Sequence, residues 1–289
     1  MDSRDYLTKY RFDTDVISLD ILNEIKSDFS QNGYVCLDSI FDIELLNMVK
    51  NQVEESYRNF RKINSSFQMS VQPDKKRIME TVNLEPPFIY RDIFAPKVIL
   101  SIVNCILETS NLEKPFPIYR KVVIDSYSII SSFPGAIDQA IHTDAPNLFG
   151  NEIDGFIPPY ALQVVIPLLD LNPETGTTAV WPGSHRLGDK QIYDSDGNLK
   201  EPKELFLSFG DACLMDYRLH HRGTSNNSDK ARSLLYIRFS RPWWRDTGDF
   251  TYLPNSNYKS IPPISITPKN FRAIPKDLAY LFRLVTIQG

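Results

Sequence analysis

Apolar positions repeat at helical spacing over residues 18–29, at Leu19, Ile21, Leu22, Ile25 and Phe29, and Asn32-Gly33 supplies a stop for that helix. A short β-like run follows at 34–37. Leu45, Leu46, Met48, Val49 and Val53 carry a second helix over 42–61, and Val98, Ile99, Ile102, Val103 and Ile106 line one side of a third over 95–109. Pro87 interrupts the polar stretch between these two helices, and residues 1–15, which lack periodicity, read as an extended arm. From about residue 117 the pattern changes. Runs rich in Val, Ile, Tyr and Ser lie at 119–132, 161–169, 177–181, 205–219 and 232–239, set apart by Pro, Gly, Asn and Asp clusters. Helices first and short strands afterwards predict a mainly β protein, with an N-terminal helical layer packed on a β-sandwich or jelly roll. Residues 246–289 hold prolines at 254, 262, 263, 268 and 275 before a short helix over 277–284, and are expected to cover the sheet or a pocket mouth.

The chain has 289 residues, a length at which jelly rolls still form one unit. A single domain is expected over 1–289, with helices at about 16–110, the β core at about 117–245 and the tail at 246–289. Hydrophobic residues make up 42% and charged ones 24%, which suffices for a sizeable core. A net charge of −4 without any run rich in Lys and Arg argues against a nucleic-acid partner. Cys36, Cys105 and Cys213 are odd in number, far apart and set in apolar segments, the pattern of buried reduced thiols and not of a disulfide framework or thiolate cluster. The charged N-terminus lacks the apolar core of a signal peptide, and the longest apolar stretch falls well short of the ~20 residues that span a bilayer. The expectation is a soluble cytoplasmic protein with no membrane span and no protein partner indicated.

The candidate chemistry centres on Ile141-His142-Thr143-Asp144. On an extended strand residues two apart project from one face, so His142 and Asp144 form half of a metal site. A third ligand is offered by Leu219-His220-His221-Arg222-Gly223. Counting back by twos from His221 meets Leu219, Tyr217, Met215 and Cys213, an apolar face; from His220 the count meets Arg218, Asp216 and Leu214, a largely polar one. His221 is therefore the expected ligand, and His220 a structural or surface residue. Two histidines and a carboxylate that hold one face of an iron and leave other positions open are the ligand set of non-haem Fe(II) oxygenases. His185 follows the turn Trp181-Pro182-Gly183-Ser184, has no partner at ligand spacing, and is assigned to loop packing.

Arg232 lies eleven residues beyond His221 among apolar neighbours, where a guanidinium needs an anion and a carboxylate matches its fork. A bridge to a protein Asp or Glu is the structural alternative, and Arg238 is a rival of the same strand parity. Tyr127, Tyr217, Phe133 and Phe149 are near the ligands in sequence and either line a pocket or belong to the core. Arg241-Pro242-Trp243-Trp244-Arg245 either holds a substrate near the mouth or turns a corner of the sheet.

Several segments occur together in an order that resembles the phytanoyl-CoA dioxygenase family of Fe(II)- and 2-oxoglutarate-dependent oxygenases. They are Pro134-Gly135, Gln139-Ala140-Ile141-His142-Thr143-Asp144, Pro158-Pro159-Tyr160-Ala161-Leu162, Trp181-Pro182-Gly183-Ser184-His185, Gly210-Asp211, and Asp216 to Ser228 leading to Arg232. The resemblance covers roughly residues 30–245. It implies a double-stranded β-helix core of the jelly-roll, cupin-like kind, with Fe(II) held by His142, Asp144 and His221. It also implies 2-oxoglutarate as cosubstrate with Arg232 on its distal carboxylate, Gln139 helping to position cosubstrate or substrate, O2 as oxidant and ascorbate as an accessory. Because the carboxylate ligand is present as Asp144, hydroxylation of a small molecule, or a related desaturation or cyclisation, fits better than halogenation. Two alternatives stand beside this reading: a zinc hydrolase, which lacks an evident second carboxylate as base and leaves Arg232 without a role, and a non-catalytic cupin-like binding protein.

Overall fold

The computed structural model describes residues 9–63, 76–107, 121–145, 148, 149, 153, 156–187, 192–246 and 264–288. The expected arm is in part a strand, β1 (Lys9–Arg11). Next comes α1 (Leu19–Asn32), where Ser18 accepts from the Ile21 N–H at one end and Gly33, at φ 82°, donates to the Phe29 carbonyl at the other. Then follow β2 (Tyr34–Asp38), α2 (Ile43–Ile63), β3 (Arg77–Thr81), α3 (Arg91–Phe94) and α4 (Lys97–Leu107). β3 and α3 occupy the stretch in which periodicity predicts nothing, because each is too short to show a period. The β region contains β4 (Val123–Ser132), β5 (Ala161–Pro167), β6 (Thr178–Val180), β7 (Lys203–Glu204), β8 (Ala212–Asp216), β9 (His221–Gly223) and β10 (Arg232–Ser240).

Seven strands form one sheet in the order β1-β2-β8-β5-β10-β4-β3, and three form a smaller sheet in the order β7-β6-β9. Within these two sheets all pairings are antiparallel except β1 with β2. Strand alternation then decides what each face does. Leu162, Val164 and Ile166 of β5, with Leu235, Ile237 and Phe239 of β10, turn outward into the main core beneath α1, α2 and α4. Val165, Met215 and Leu234 turn inward and meet Val180, Leu205 and Leu207 in a second core between the sheets. Two facing sheets with a helical layer on the outside are the jelly roll that the patterning predicts.

The inward row of β10 reads Arg232, Leu234, Tyr236, Arg238, and its partner strand β4 presents Ser132, Ile130, Ser128 and Ser126 to the same interior. Beyond Leu234 this row is polar and leaves a cavity. Arg238 is fixed in the wall: its Nε donates to Asp125 at 2.8 Å, and its Nη1 donates to Asp246 at 3.0 Å and to the Tyr217 hydroxyl. It is thus the arginine of a structural ion pair. Burial pushes the Asp125 carboxyl upward, and the Arg238 charge opposes that shift.

Residues 264–288 return as a short helix, Pro268–Ala273, a 3₁₀ turn, Ala279–Phe282, and two paired strands, β11 (Ser265–Ile266) and β12 (Thr286–Ile287). Leu281 and Phe282 are buried in the main core, with the Phe282 ring 5.0 Å from Phe94. This part of the tail covers the helical side of the sheet and not the cavity mouth. The expected arm before Lys9 and the prolines at 254, 262 and 263 lie outside the described residues. No helix among those described is long and apolar enough to cross a membrane, and Cys36, Cys105 and Cys213 are all free thiols.

Candidate metal centre and its cavity

His142 and Asp144 do not lie on a named strand. They sit on an extended segment tied to β9 by one reciprocal bridge, in which the His142 N–H donates to the His221 carbonyl at 3.0 Å and the His221 N–H returns to the His142 carbonyl at 2.9 Å. That bridge sets the two imidazoles side by side, ring centroids 4.4 Å apart. The Asp144 carboxylate completes the group, Oδ1 lying 3.9 Å from His142 Nε2 and Oδ2 3.7 Å from His221 Nε2. One ligand atom from each of the three lies within 4.8 Å of the others, and no second group of this kind occurs among the described residues.

Each imidazole is oriented from behind. His142 Nδ1 faces the Ala140 carbonyl at 2.8 Å, and His221 Nδ1 faces the Leu219 carbonyl at 2.9 Å. A carbonyl only accepts, so Nδ1 carries the proton and Nε2 presents its lone pair to the centre. Burial lowers the pKa of His221, against the opposing pull of Asp144, which favours the neutral ring that ligation requires. The carboxylate has its own support, Gln163 Nε2 donating to Asp144 Oδ2 at 2.6 Å.

His220 belongs neither to this group of ligands nor to the cavity lining; its backbone N–H donates to Ser184 Oγ and its carbonyl accepts from the Trp181 N–H. The parity count that favours His221 assumes one unbroken strand, and here the structure differs. β8 ends at Asp216, a turn closed by the Leu219 N–H on the Asp216 carbonyl intervenes, and β9 begins afresh in the other sheet. Cys213 and Met215 face the inter-sheet core, while Tyr217 lines the cavity. His185 packs as expected, its Nε2 3.1 Å from the Ser30 carbonyl.

The three residues open onto a cavity of about 220 Å³ in which Asp144 is the sole carboxylate among the described lining residues. Arg232 lines the same cavity and is only 2% exposed. Its Nη atoms donate to the carbonyls of Thr175, Thr224 and Ser225 and to Ser132 Oγ, while its Nε has no hydrogen-bond partner among the described residues. The alternative, a bridge to a protein carboxylate, does not form among the described residues. Burial, and then the neighbouring charge of Arg77, lower its pKa to about 10, so it stays cationic at neutral pH. Tyr236, between Arg232 and Arg238 on the inward row, is pushed up to about 12 by burial and then by the Asp144 charge, and is neutral.

Arg77 escapes sequence reading. It is 1% exposed on β3, lines the cavity, and donates to Ser132 Oγ and the carbonyls of Ile137, Gly223 and Thr224, two of which also serve Arg232. Its only signal is a cation opening the alternating run Arg77-Ile78-Met79-Glu80-Thr81. Gln163 offered a clearer one, as the lone polar residue within 161–169. Gln139 also lines the cavity, and its Oε1 accepts from the Gly223 N–H at 2.8 Å, which clamps the His142 segment to β9. A Cβ on Gly223 would lie 2.6 Å from that Oε1. Of the aromatics, Tyr217 lines the cavity, Tyr127 donates to the Phe88 carbonyl in the core, Phe133 packs on Tyr57 and Phe149 is exposed. Arg241 Nε donates to the Pro159 carbonyl and Trp244 stacks on Tyr160, a corner arrangement that leaves Trp243 exposed.

Gly176 closes the turn that presents the Thr175 carbonyl to Arg232. It sits at φ +72°, and a Cβ there would stand 1.9 Å from the Ser225 carbonyl oxygen and 2.2 Å from Arg232 Nη1. Gly176→Ala is expected to cost about 2–4 kcal/mol, combining a left-handed backbone with overpacking. Thermal unfolding checks this: the loss corresponds to a fall in Tm of at least ~4 °C, and a melt within ~2 °C of the parent contradicts it.

A sequence model of the phytanoyl-CoA dioxygenase family matches residues 29–234. Among solved structures, AviO1 from Streptomyces viridochromogenes Tue57 superimposes with a TM-score of 0.56 at 20% identity, over 80% of this chain and 99% of that one. The epimerase SnoN, in complex with Fe3+, alpha ketoglutarate and nogalamycin RO, gives 0.55 at 15% identity, over 85% and 95%. EctD from S. alaskensis, with 2-oxoglutarate and 5-hydroxyectoine, gives 0.55 at 15% identity, over 81% and 79%. Likeness at these identities speaks for the fold.

Proposed function

The chain belongs to the phytanoyl-CoA dioxygenase family, and from that premise we propose that it is an Fe(II)- and 2-oxoglutarate-dependent dioxygenase that oxidises an unactivated C–H bond of a small molecule. The observation that carries the reading is Arg232, a cation without a carboxylate partner among the described residues, in the same cavity as three convergent side chains that could hold a metal ion. In this reading His142, Asp144 and His221 hold the iron, two neutral nitrogen donors and one hard oxygen donor that suit it. Arg232 takes the distal carboxylate of 2-oxoglutarate, with Gln139 nearby. Bound iron and 2-oxoglutarate supply the oxidising power, with O2 consumed and succinate and CO2 released.

What the chain itself contributes is binding, orientation and dryness. The backbone carbonyls behind His142 and His221 fix their tautomers. The inter-sheet core beside Leu234 keeps water from the inner end of the cavity. Asp144 retains the carboxylate ligand, which favours hydroxylation, desaturation or ring closure over halogen transfer. A zinc hydrolase needs a second carboxylate as base, and the described lining offers Asp144 alone.

Arg77 adds charge to the end where the cosubstrate's anion would sit. Arg77→Met is expected to raise the 2-oxoglutarate concentration for half-saturation roughly tenfold, about 1.4 kcal/mol, with Fe(II) affinity unchanged. Equilibrium titration of the iron-loaded variant reads this, and an unchanged requirement assigns Arg77 to structure alone. The test of the reading as a whole is slow, Fe(II)-dependent formation of succinate from 2-oxoglutarate in air without substrate. No succinate from the iron-loaded protein, with or without candidate substrates, would count against it.

A further inference from the structure

We infer that Gln163 is the positioning residue of the metal-binding carboxylate, holding one oxygen of Asp144 so that the other alone faces the metal; this rests on the reading of Asp144 as a ligand. Among the described residues, the three candidate ligands each have one hydrogen-bond partner behind them. For His142 and His221 that partner is a backbone carbonyl, of Ala140 and Leu219. For Asp144 it is a side chain, the Gln163 amide at 2.6 Å. Gln163 is therefore the one outer partner that substitution can remove.

Its place in the fold suits the task. Gln163 stands mid-strand on β5, paired to Met215 of β8 on one side and to Arg238 of β10 on the other. A backbone held in two ladders fixes the root of the side chain. Every other residue of β5 is buried, and Gln163 alone is partly exposed, into the cavity. An amide among Leu162, Val164, Val165 and Ile166 does not serve the core. Asp144, by contrast, lies outside any strand, and the hydrogen bonds of its neighbours, Thr143 Oγ1 to the Ala145 carbonyl and the Ala145 N–H to the Tyr217 carbonyl, leave its carboxylate unrestrained.

The amide orientation follows from chemistry, since a carboxylate only accepts and Nε2 must face it. Oδ2, which also lies 3.7 Å from His221 Nε2, is thereby engaged by the amide, and Oδ1, 3.9 Å from His142 Nε2, is the oxygen left with its lone pairs for the metal. Single-oxygen binding matters for the coordination count. An octahedral ion with three protein donors keeps three places, two for a chelating keto acid and one for O2. A carboxylate bound through both oxygens would use one of them.

The test uses the full chain, stripped of metal, with Co(II) as a probe in place of Fe(II). Co(II) affinity by calorimetry and the visible d–d spectrum of the saturated complex are measured for the parent, Gln163→Leu, Gln163→Met and Asp144→Ala. Both Gln163 variants are expected to bind Co(II) roughly 10–100-fold more weakly and to give an altered d–d spectrum at saturation, while the apoproteins melt near the parent. A loss below about fivefold in a folded Gln163 variant, or weaker binding with the parent's spectrum, overturns the assignment and leaves Gln163 a structural residue. The metal reading fails separately, when Asp144→Ala binds Co(II) as the parent does.

Discussion

Arg232→Leu is expected to raise the 2-oxoglutarate concentration for half-saturation by about two to three orders of magnitude, while Fe(II) affinity stays within about threefold. The guanidinium is buried and held by three carbonyls and a serine hydroxyl, so it is preorganised before any anion arrives. Losing one side of a buried, hydrogen-bonded charge pair costs about 2–5 kcal/mol, much of it from leaving the other charge unpaired. Stability is expected to change less. Leucine abandons those acceptors, but it also removes a buried cation from beside Arg77, whose charge already disfavours protonation of Arg232. Equilibrium titration of the iron-loaded variant with 2-oxoglutarate reads the effect. A requirement within threefold of the parent would contradict the role given to Arg232.

Asp144→Ala and His221→Ala are expected to lower Fe(II) affinity by more than ~10²-fold, beyond the 10–100-fold typical of an outer partner. His220→Ala is expected to keep the parent's affinity. The contrast is informative because the two histidines are adjacent in sequence, yet His221 is buried at the start of β9 and His220 is half-buried just before it. His221 Nε2 meets Asp144 at 3.7 Å, whereas the His220 backbone belongs to the contacts with Ser184 and Trp181. Loss of iron in His220→Ala with retention in His221→Ala would reverse the assignment.

Much of the fold was readable because it depends on local periods. The first helix is written in Ser18, the apolar stripe from Leu19 to Phe29 and Gly33, and the structure places its caps on those residues. β2, β4, β5, β6, β8 and β10 were readable to within a few residues as apolar runs, though 205–219 reads as one long run and holds only β8, with a turn on either side. What a run does not state is which strands are neighbours. The pairing of Gln163 with Arg238, and of Ser132 with both Arg232 and Arg77 across β4, comes from registers between segments about 55 to 100 residues apart.

The site divides along the same line. The spacing of His142 and Asp144 was visible, yet it works through one bridge to His221 and not through a strand. Counting by twos through residues 213–221 names His221 along a strand that breaks at Asp216, so the agreement in residue does not validate the count. Arg232 stood out as a cation among apolar neighbours. Whether it met a carboxylate or an open cavity depended on Asp125 and Asp246, which pair with Arg238 from distant or irregular segments. Arg77 was hidden because β3 is only five residues long, too short to show a period.

The most direct test of the central claim is anaerobic titration of the metal-free protein with Fe(II) and then 2-oxoglutarate, following the weak visible charge-transfer band of a keto acid chelated to ferrous iron. The band is expected to grow to one equivalent of iron, to vanish in Asp144→Ala, and to need far more 2-oxoglutarate in Arg232→Leu. Iron binding at His142, Asp144 and His221 with no such band at any 2-oxoglutarate concentration would contradict the dioxygenase reading.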